Sequence, residues 1–581
     1  MAGPSFSFVG FDAIPTGKVS SKSTPEWAAN DRSLSRQLDE LERISKSERD
    51  KHLGTNYFDE ITDFYDLDDD QQGFPSFRPR VRIPQLQTLV LNEATDITDS
   101  SPKIYIINDG KRDEQREKYF QASWRQGAVN NRVLEAFVWA MLSNLGFLQV
   151  GFDPMARRGK GRTWVDMRHP KSVYPDPFAR TDSDWSYVLW EDWLYIDEVR
   201  RRWPDKGQYV RPHLYMADAD SYGSMDAGLE FPEASPLSQF GSFDKKIFRD
   251  NRVRVRHAFM FDNTRERVKD YAGSQNEALG LVHPRFQYAY PDGRWITECE
   301  GIVLADGNNW CPQLPDDDRG TFPLVRLAAM PCVTNFWGPP PVKLSKSLQS
   351  LSERLYTQTF ENVVRTNNGV IIIPSNSGLD PQGIGWLPGE ILVINPGSDK
   401  PSVVNPSPLP QHMITLPASV LALQKELQGY SAQRQGNPGA GNISPDLFDA
   451  SIWQSQAMTR LRGRMLAETL QRLAQIVFYV QARYQVMPDQ MFTGMDRGQP
   501  SYAEWDPIGS LDKYDTHLDE GSLRVLSGTA LKSVVSAMAK AQMLPTKYVL
   551  EALDIPGAEE LAEEKMRELE LASMSRLKRP R

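Results

Sequence analysis

Cysteine is nearly absent from this chain: Cys299, Cys311 and Cys332 are the only three among 581 residues. An odd number without close pairs supports neither a zinc ribbon nor a dithiol redox motif, and synthesis in a reducing cytoplasm is expected. Histidine is also scarce. The seven, His52, His169, His213, His257, His283, His412 and His517, include no pair three or four residues apart, which excludes the helix-borne zinc site of metalloproteases. No apolar run reaches the roughly 18 residues of a membrane span. The nearest approach, Ala136 to Phe152, is broken by Ser143, Asn144 and two glycines, and it reads as a buried helix entering a strand. The first residues, MAGPSFSFVGFDAIPTGK, lack a basic stretch before a long apolar one, so no signal peptide is expected and the protein should be soluble. A surplus of basic charge is missing as well: 67 Lys and Arg against 76 Asp and Glu leave a net charge of -9, which disfavours tight DNA binding by the molecule as a whole.

Catalytic motifs are missing in the same way. GNPGAGNI at 436–443 has the glycine spacing of a phosphate-binding loop, but Asn442 and Ile443 stand where Lys and Ser or Thr would be needed to meet the phosphate charge and its magnesium. The run Asp66 to Asp70 opens like a calcium loop, yet Gln71 replaces the required Gly and Phe77 stands where the bidentate Glu belongs; a solvated acidic loop is the better reading. Asp316 to Asp318 lie in a turn bounded by Pro and Gly with no His at ligand spacing. No GxSxG nucleophile elbow occurs. The basic stretch RRGKGR at 157–162 sits between strand signals and reads as a hairpin tip rather than a nucleic-acid contact. No catalytic residue, cofactor or metal is therefore assigned.

What is present is a globular composition, 40% hydrophobic, 25% charged and 10% aromatic, long enough for several packed regions. Residues 1–55 are polar, with one amphipathic patch from Leu38 to Ile44, and read as an arm carrying a short helix whose order needs a partner. A helix is expected over Gln85–Asp96 and a strand over Lys103–Ile107. From Arg112 to Leu145 the spacing of Phe120, Trp124, Val129, Leu134, Val138, Met141 and Leu145 predicts one long amphipathic helix. Short β-branched and aromatic runs follow, with a helix in YIDEVRRRWP stopped at Pro204 and a long polar loop from Tyr209 to Asp250. The fold class is α+β.

The pattern changes at Gly338. After GPPP, Leu344, Leu348, Leu351 and Leu355 recur at steps of four, three and four, with Tyr356, Phe360 and Val363 continuing a helix to about Arg365. NNGVIIIPSN and PGEILVINPG predict two short strands, and a second helix is expected over Pro417–Gly429 with Pro417 in its first turn. The Gly- and Asn-rich stretch 430–446 reads as a mobile loop, and Leu447 to about Gln485 as one very long helix. Further helices close the chain, with six glutamates between Gly557 and Glu570 and the basic ending RLKRPR read as a solvated face and a frayed end.

This order resembles the portal proteins of tailed double-stranded DNA bacteriophages. The stretch HPKSVYPDPFARTDSDWSYVLWEDWLYIDEVRRRWPD is similar to the portal wing. PLVRLAAMPCVTNFWGPPPVKLSKSLQSLSERLYTQTFENVV is similar to its strand, Gly-Pro bend and first stem helix, LPGEILVINPG to its clip and ALDIPGAEELAEEKMRE to the start of its crown. The resemblance implies an arm (1–55), a first wing part (56–337), a stem helix (338–366), a clip (367–410), a second stem helix (411–430), a tunnel loop (431–446), a long wing helix with its following segment (447–505), and a crown and tail (506–581). It further implies a homo-oligomeric ring, usually dodecameric, at one capsid vertex of the virion, assembled in the host cytoplasm. Double-stranded DNA would pass through that ring, driven by a terminase, with tail adaptor or head-completion proteins and capsid and scaffolding proteins as further partners and no membrane.

On that resemblance Gln433, Arg434, Gln435, Asn437 and Asn442 would line the tunnel loop. Lys343, Lys346, Arg354, Arg365 and Lys425 would face the channel or the neighbouring subunit. Ser375, Asn376, Asp380, Asp399 and Lys400 would lie on the clip face toward terminase and adaptor. The acidic balance suits a conduit, because a channel that neutralised many phosphates would grip the DNA it must let slide. Two alternatives stay open: another head-tail connector or scaffold protein, which should lack paired helices around a β insert, and an enzyme with a dispersed acidic metal site around Asp66–Asp70 and Asp316–Asp318.

Overall fold

The computed structural model describes residues 27–66, 81–98, 102–210, 214–215, 248–249, 252–267, 286–315, 317, 320–333, 335–367, 370–379, 393–397, 399, 402–404, 410–429, 457–496, 499–509, 511, 513–519 and 565. In chain order come α1 (Trp27–Leu53), α2 (Tyr57–Asp66), α3 (Gln85–Thr98), β1 (Ile104–Asn108), β2 (Lys111–Arg112), α4 (Glu114–Gln126), α5 (Val129–Ser143), β3 (Leu145–Asp153), α6 (Ala156–Gly159), β4 (Arg162–Arg168), β5 (Val173–Pro175) and β6 (Tyr187–Tyr195). These are followed by α7 (Ile196–Arg202), α8 (Pro204–Gly207), β7 (Leu214–Tyr215), β8 (Phe248–Arg249), β9 (Arg252–Met260), β10 (Arg265–Arg267), β11 (Phe286–Tyr288), β12 (Arg294–Cys299), β13 (Ile302–Asn308) and β14 (Leu324–Ala328). The last third holds α9 (Lys343–Asn367), β15 (Val370–Ile372), β16 (Ser402–Val404), α10 (Gln411–Leu427), α11 (Ala457–Tyr484), β17 (Asp489–Asp496), β18 (Gln499–Trp505) and β19 (Tyr514–Leu518). Helices and strands are mixed, and every strand pairing among the described residues is antiparallel, as an α+β fold requires.

The chain divides into two compact units, one of residues 1–59, 91–341 and 440–581, the other of 60–90 and 342–439. The larger unit is built on a five-stranded sheet in the order β13-β12-β9-β6-β5 and two three-stranded sheets, β14-β3-β4 and β19-β1-β2. Strand β3 is buried along its length, and two glycines make that possible: a Cβ on Gly146 would come within 2.1 Å of the Ala136 carbonyl oxygen in α5, and one on Gly151 within 2.2 Å of the Trp164 ring. Trp190 stacks on Phe259 with ring centroids 5.1 Å apart, placing aromatic bulk between neighbouring strands of the large sheet.

Several expectations need correction. The helix expected from Arg112 to Leu145 is two helices, α4 and α5, because Gly127 ends the first and Ala128 turns left-handed at φ 50. Apolar spacing carries through the break because each helix buries apolar side chains of its own. Left-handed Asn144 then ends α5; its side chain donates to the Trp337 carbonyl at 2.9 Å and accepts from Met330 N at 2.9 Å. Gly338 faces that amide at a distance where a Cβ would come within 2.3 Å, so it makes room for Asn144 besides preceding a helix.

The amino-terminal arm also differs. Its helix, α1, spans 27 residues where a short one was expected, and lies against the chain's own sheet; residues 1–26 lie outside the described ones. The segment expected as a solvated loop between Tyr209 and Asp250 includes the two paired strands β7 and β8; its other residues from 211 to 247, and 250, lie outside the described ones. Of the very long helix expected from Leu447, the described part is α11; its second half is buried on all sides from Ile476 to Val480, where a one-sided stripe was expected. RRGKGR does form the tip between β3 and β4, which pair from Phe147–Arg168 to Asp153–Arg162.

Candidate functional site

The smaller unit carries the two helices singled out in the sequence. Helix α9 follows three prolines, whose missing N–H groups suit the position just ahead of a first turn. Helix α10 starts earlier than expected, at Gln411, which puts Pro417 inside it rather than in its first turn. That proline cannot donate to the carbonyl four residues back, so the helix loses one bond of its ladder there. Between the helices, Val370–Ile372 pairs with Ser402–Val404. The second strand was expected at PGEILVINPG instead; its described residues, Val393 to Gly397, form no strand, and Asn395 bonds to the turn at 374–378, with its N–H on the Ser377 carbonyl at 3.0 Å and its amide on that of Asn376 at 3.1 Å.

The two helices meet along a seam rich in buried polar side chains, with Pro417 and Val420 as its buried apolar members. Ser345, Gln349 and Ser352, at steps of four and three on α9, are at most 1% exposed, and on the other helix Val420, Gln424 and Gln428 are buried. Gln424 Nε2 donates to the Ser345 carbonyl at 3.3 Å and Gln428 Nε2 to the Ser345 hydroxyl at 2.5 Å. Residues 81–86 run along the same seam: Val81 N donates to Thr357 Oγ1 at 3.2 Å, Ile83 N to Glu353 Oε1 at 3.2 Å and Leu86 N to Gln349 Oε1 at 2.9 Å. Small and amide side chains let the backbones approach while meeting one another's hydrogen-bonding needs.

Leu348, Leu355, Tyr356 and Leu421 are half-buried, but other large apolar side chains point elsewhere. Leu351, Phe360, Val363 and Val364 on α9 and Leu416, Leu423 and Leu427 on α10 are 39 to 47% exposed. Amphipathicity is thus inverted: the seam is polar and the outer surface carries leucine, valine and phenylalanine.

The charges expected on the stem fall in different surroundings. Lys343 and Arg354 are exposed, and Lys346 is half-buried with its ammonium 3.2 Å from Glu60 Oε2. Lys425 is half-buried in the last turn of α10, where a cation suits the helix dipole, and Arg365 lies in the last turns of α9. Of the clip residues, Ser375, Asn376 and Asp399 are exposed, whereas Asp380 and Lys400 lie outside the described residues. The tunnel-loop set Gln433, Arg434, Gln435, Asn437 and Asn442 lies outside them too. The serine and glutamine seam was not foreseen. Its signal was present as a second stripe at steps of four and three beside the leucine one.

Among the described residues no three or more His, Cys, Asp or Glu side chains are grouped to hold a metal ion, and no helix is long and apolar enough to cross a membrane. Asp317, from the acidic run at 316–318, is buried and bonded to Arg472 Nη2 at 2.9 Å and Thr321 Oγ1 at 2.6 Å. Burial pushes the thiols of Cys299, Cys311 and Cys332 up, away from thiolate. No protein-family model matches the chain, and a search of the curated proteins finds no match.

Proposed function

We propose that the chain is the portal protein of a tailed double-stranded DNA bacteriophage, a homo-oligomeric ring at one capsid vertex through which a terminase drives the genome inward. The observation that carries this reading is the inverted helix pair. Two helices of 25 and 17 residues meet along a seam in which serine and glutamine are buried and leave, among the described residues, seven large apolar side chains 39 to 47% exposed. A free monomer would hold those side chains partly in water, and because each is already more than half buried, completing its burial against a partner is worth roughly half of the about 1.5–3 kcal/mol of a fully exposed one. Copies set side by side about an axis remove that surface in a head-to-tail contact that closes by rotation. The paired strands β15 and β16 between the helices supply the β insert of a clip, and no motor chemistry is asked of this chain. The terminase supplies it, and the adaptor later occupies the clip.

Negative-stain microscopy of the purified protein tests the reading. Axial rings with a central hole are expected; monomers at every concentration and salt would overturn it. Deleting residues 433–442 should leave ring assembly intact and impair packaging or retention of DNA.

A further inference from the structure

Helix α1 is fastened to the five-stranded sheet by a stripe that is polar. Asp31, Ser35, Leu38, Glu42, Ser45 and Arg49 recur at steps of four and three, and Leu38 alone among them is apolar. Asp31 Oδ2 accepts from Val303 N at 3.0 Å and pairs with Lys206 at 3.1 Å. Ser35 donates to Glu298 Oε1 at 3.1 Å, Ser45 to the Pro175 carbonyl at 2.7 Å, and Arg49 to that of Lys171 at 2.8 Å. Glu42 pairs with Arg254 at 2.6 Å and with Arg256 at 3.0 Å, and Asp39 also reaches Arg256. The apolar contact is Leu38, with the half-buried Leu34 and Leu41, on Tyr174, Tyr187, Leu189, Ala258, Ile296 and Val303.

The two sheet arginines are paired without the helix. Arg256 stands opposite Glu298 in the β9–β12 ladder and gives its Nε to that carboxylate at 2.6 Å, while Arg254 gives its Nε to Glu191 on β6 at 2.6 Å. Lifting α1 therefore takes Glu42 from Arg254 and both Asp39 and Glu42 from Arg256, yet leaves each arginine its sheet carboxylate, avoiding the main cost of breaking a buried ion pair. Several of the fastening pairs have a partly exposed member, with Asp39 59%, Lys206 30% and Arg254 25% accessible, where salt screens them.

We propose that α1 is a releasable strap, which opens as a unit and uncovers the Tyr187, Leu189, Ala258 and Ile296 face while the sheet stays folded. The strap is independent of ring formation. Hydrogen–deuterium exchange on the full chain, at about 50 mM and about 1 M NaCl, reads it. Amides of 31–53 should exchange at least about tenfold faster in high salt, and likewise at low salt in Asp39→Asn/Glu42→Gln, with 252–260 and 294–299 unchanged. Exchange of α1 only together with those strands, or indifference to salt and variant alike, overturns it. If the variant fails to fold, the salt arm decides alone.

Discussion

Arg462 Nη1 lies 3.0 Å from Glu93 Oε1, and neither side chain is more than 3% exposed. The pair joins α3 to α11, and Thr459 adds its hydroxyl to the second carboxylate oxygen at 3.2 Å. Removing one partner leaves the other charged in a dry site. Glu93→Ala should therefore cost about 3–5 kcal/mol, seen as a fall in the urea midpoint, whereas the double variant Glu93→Leu/Arg462→Met should recover most of it. Equal losses in the single and double variants would show that shape rather than charge compensation matters here.

The exposed leucines give a prediction of the opposite kind. Leu351→Glu and Leu423→Glu lie on the outer surface of α9 and α10, so each should leave the fold's stability within about 0.5 kcal/mol. On the proposed ring, both should abolish assembly in sedimentation velocity, because a carboxylate would be buried against the neighbouring copy. Destabilised monomers, or rings formed normally, would show that this face is not an interface.

How legible these features were depended on whether apolar spacing was the force at work. Helix α5 and strand β3 were readable because they bury apolar side chains at regular intervals. The break at Gly127 and Ala128 was missed: a left-handed alanine carries no signal of its own, and the stop that Gly127 offers was overridden by apolar spacing that continues past it. Helix α1 was read as a short helix on a dangling arm because its docking stripe is Asp, Ser, Glu, Ser and Arg; amphipathicity counts those as solvent-facing. The seam between α9 and α10 failed to appear for that reason too. The leucines were legible as a helical stripe, but Ser345, Gln349 and Gln424, which are buried where the two helices meet, resemble a wetted face.

Two histidines set an acid limit. His169 is wedged against Trp139, with ring centroids 4.1 Å apart, and its Nδ1 accepts from Lys171 N at 3.0 Å. Burial, aided by Lys171 and Arg49, pushes its pKa from 6.5 down to about 3. Burial likewise lowers His257 to about 4, despite Asp192 working the other way. Because both values lie below the unfolded one, the unfolded chain binds the extra protons. Stability present above pH 6.5 is then lost as the pH falls toward 4, by roughly 1 kcal/mol per pH unit for each histidine. His169→Asn, which keeps an acceptor for Lys171 N, should flatten the slope of urea midpoint against pH in that window. A slope parallel to the unmodified protein's would remove His169 from the account.

At the β3–β4 tip, Arg157 and Arg158 both adopt left-handed backbone, at φ 54 and φ 62. Each conformation costs about 1–2 kcal/mol in an L-residue, and glycine would relieve it at an entropic cost of roughly 0.5–1 kcal/mol. The two arginines differ in what they hold. Arg157 pairs with Asp489, which is 3% exposed, accepts from Tyr119 Oη at 2.8 Å and lies 2.8 Å from Lys160 Nζ. Burial alone would raise that carboxyl, but Lys160, Tyr119 and Arg157 hold it below the usual range. Arg158 is exposed. Arg158→Gly should thus be neutral or raise stability by up to about 1 kcal/mol, whereas Arg157→Gly should lower it by about 1–3 kcal/mol through the lost charged hydrogen bond. Thermal melts of the two variants decide the matter: shifts of the same sign would mean that backbone strain, and not the Asp489 contact, governs this tip.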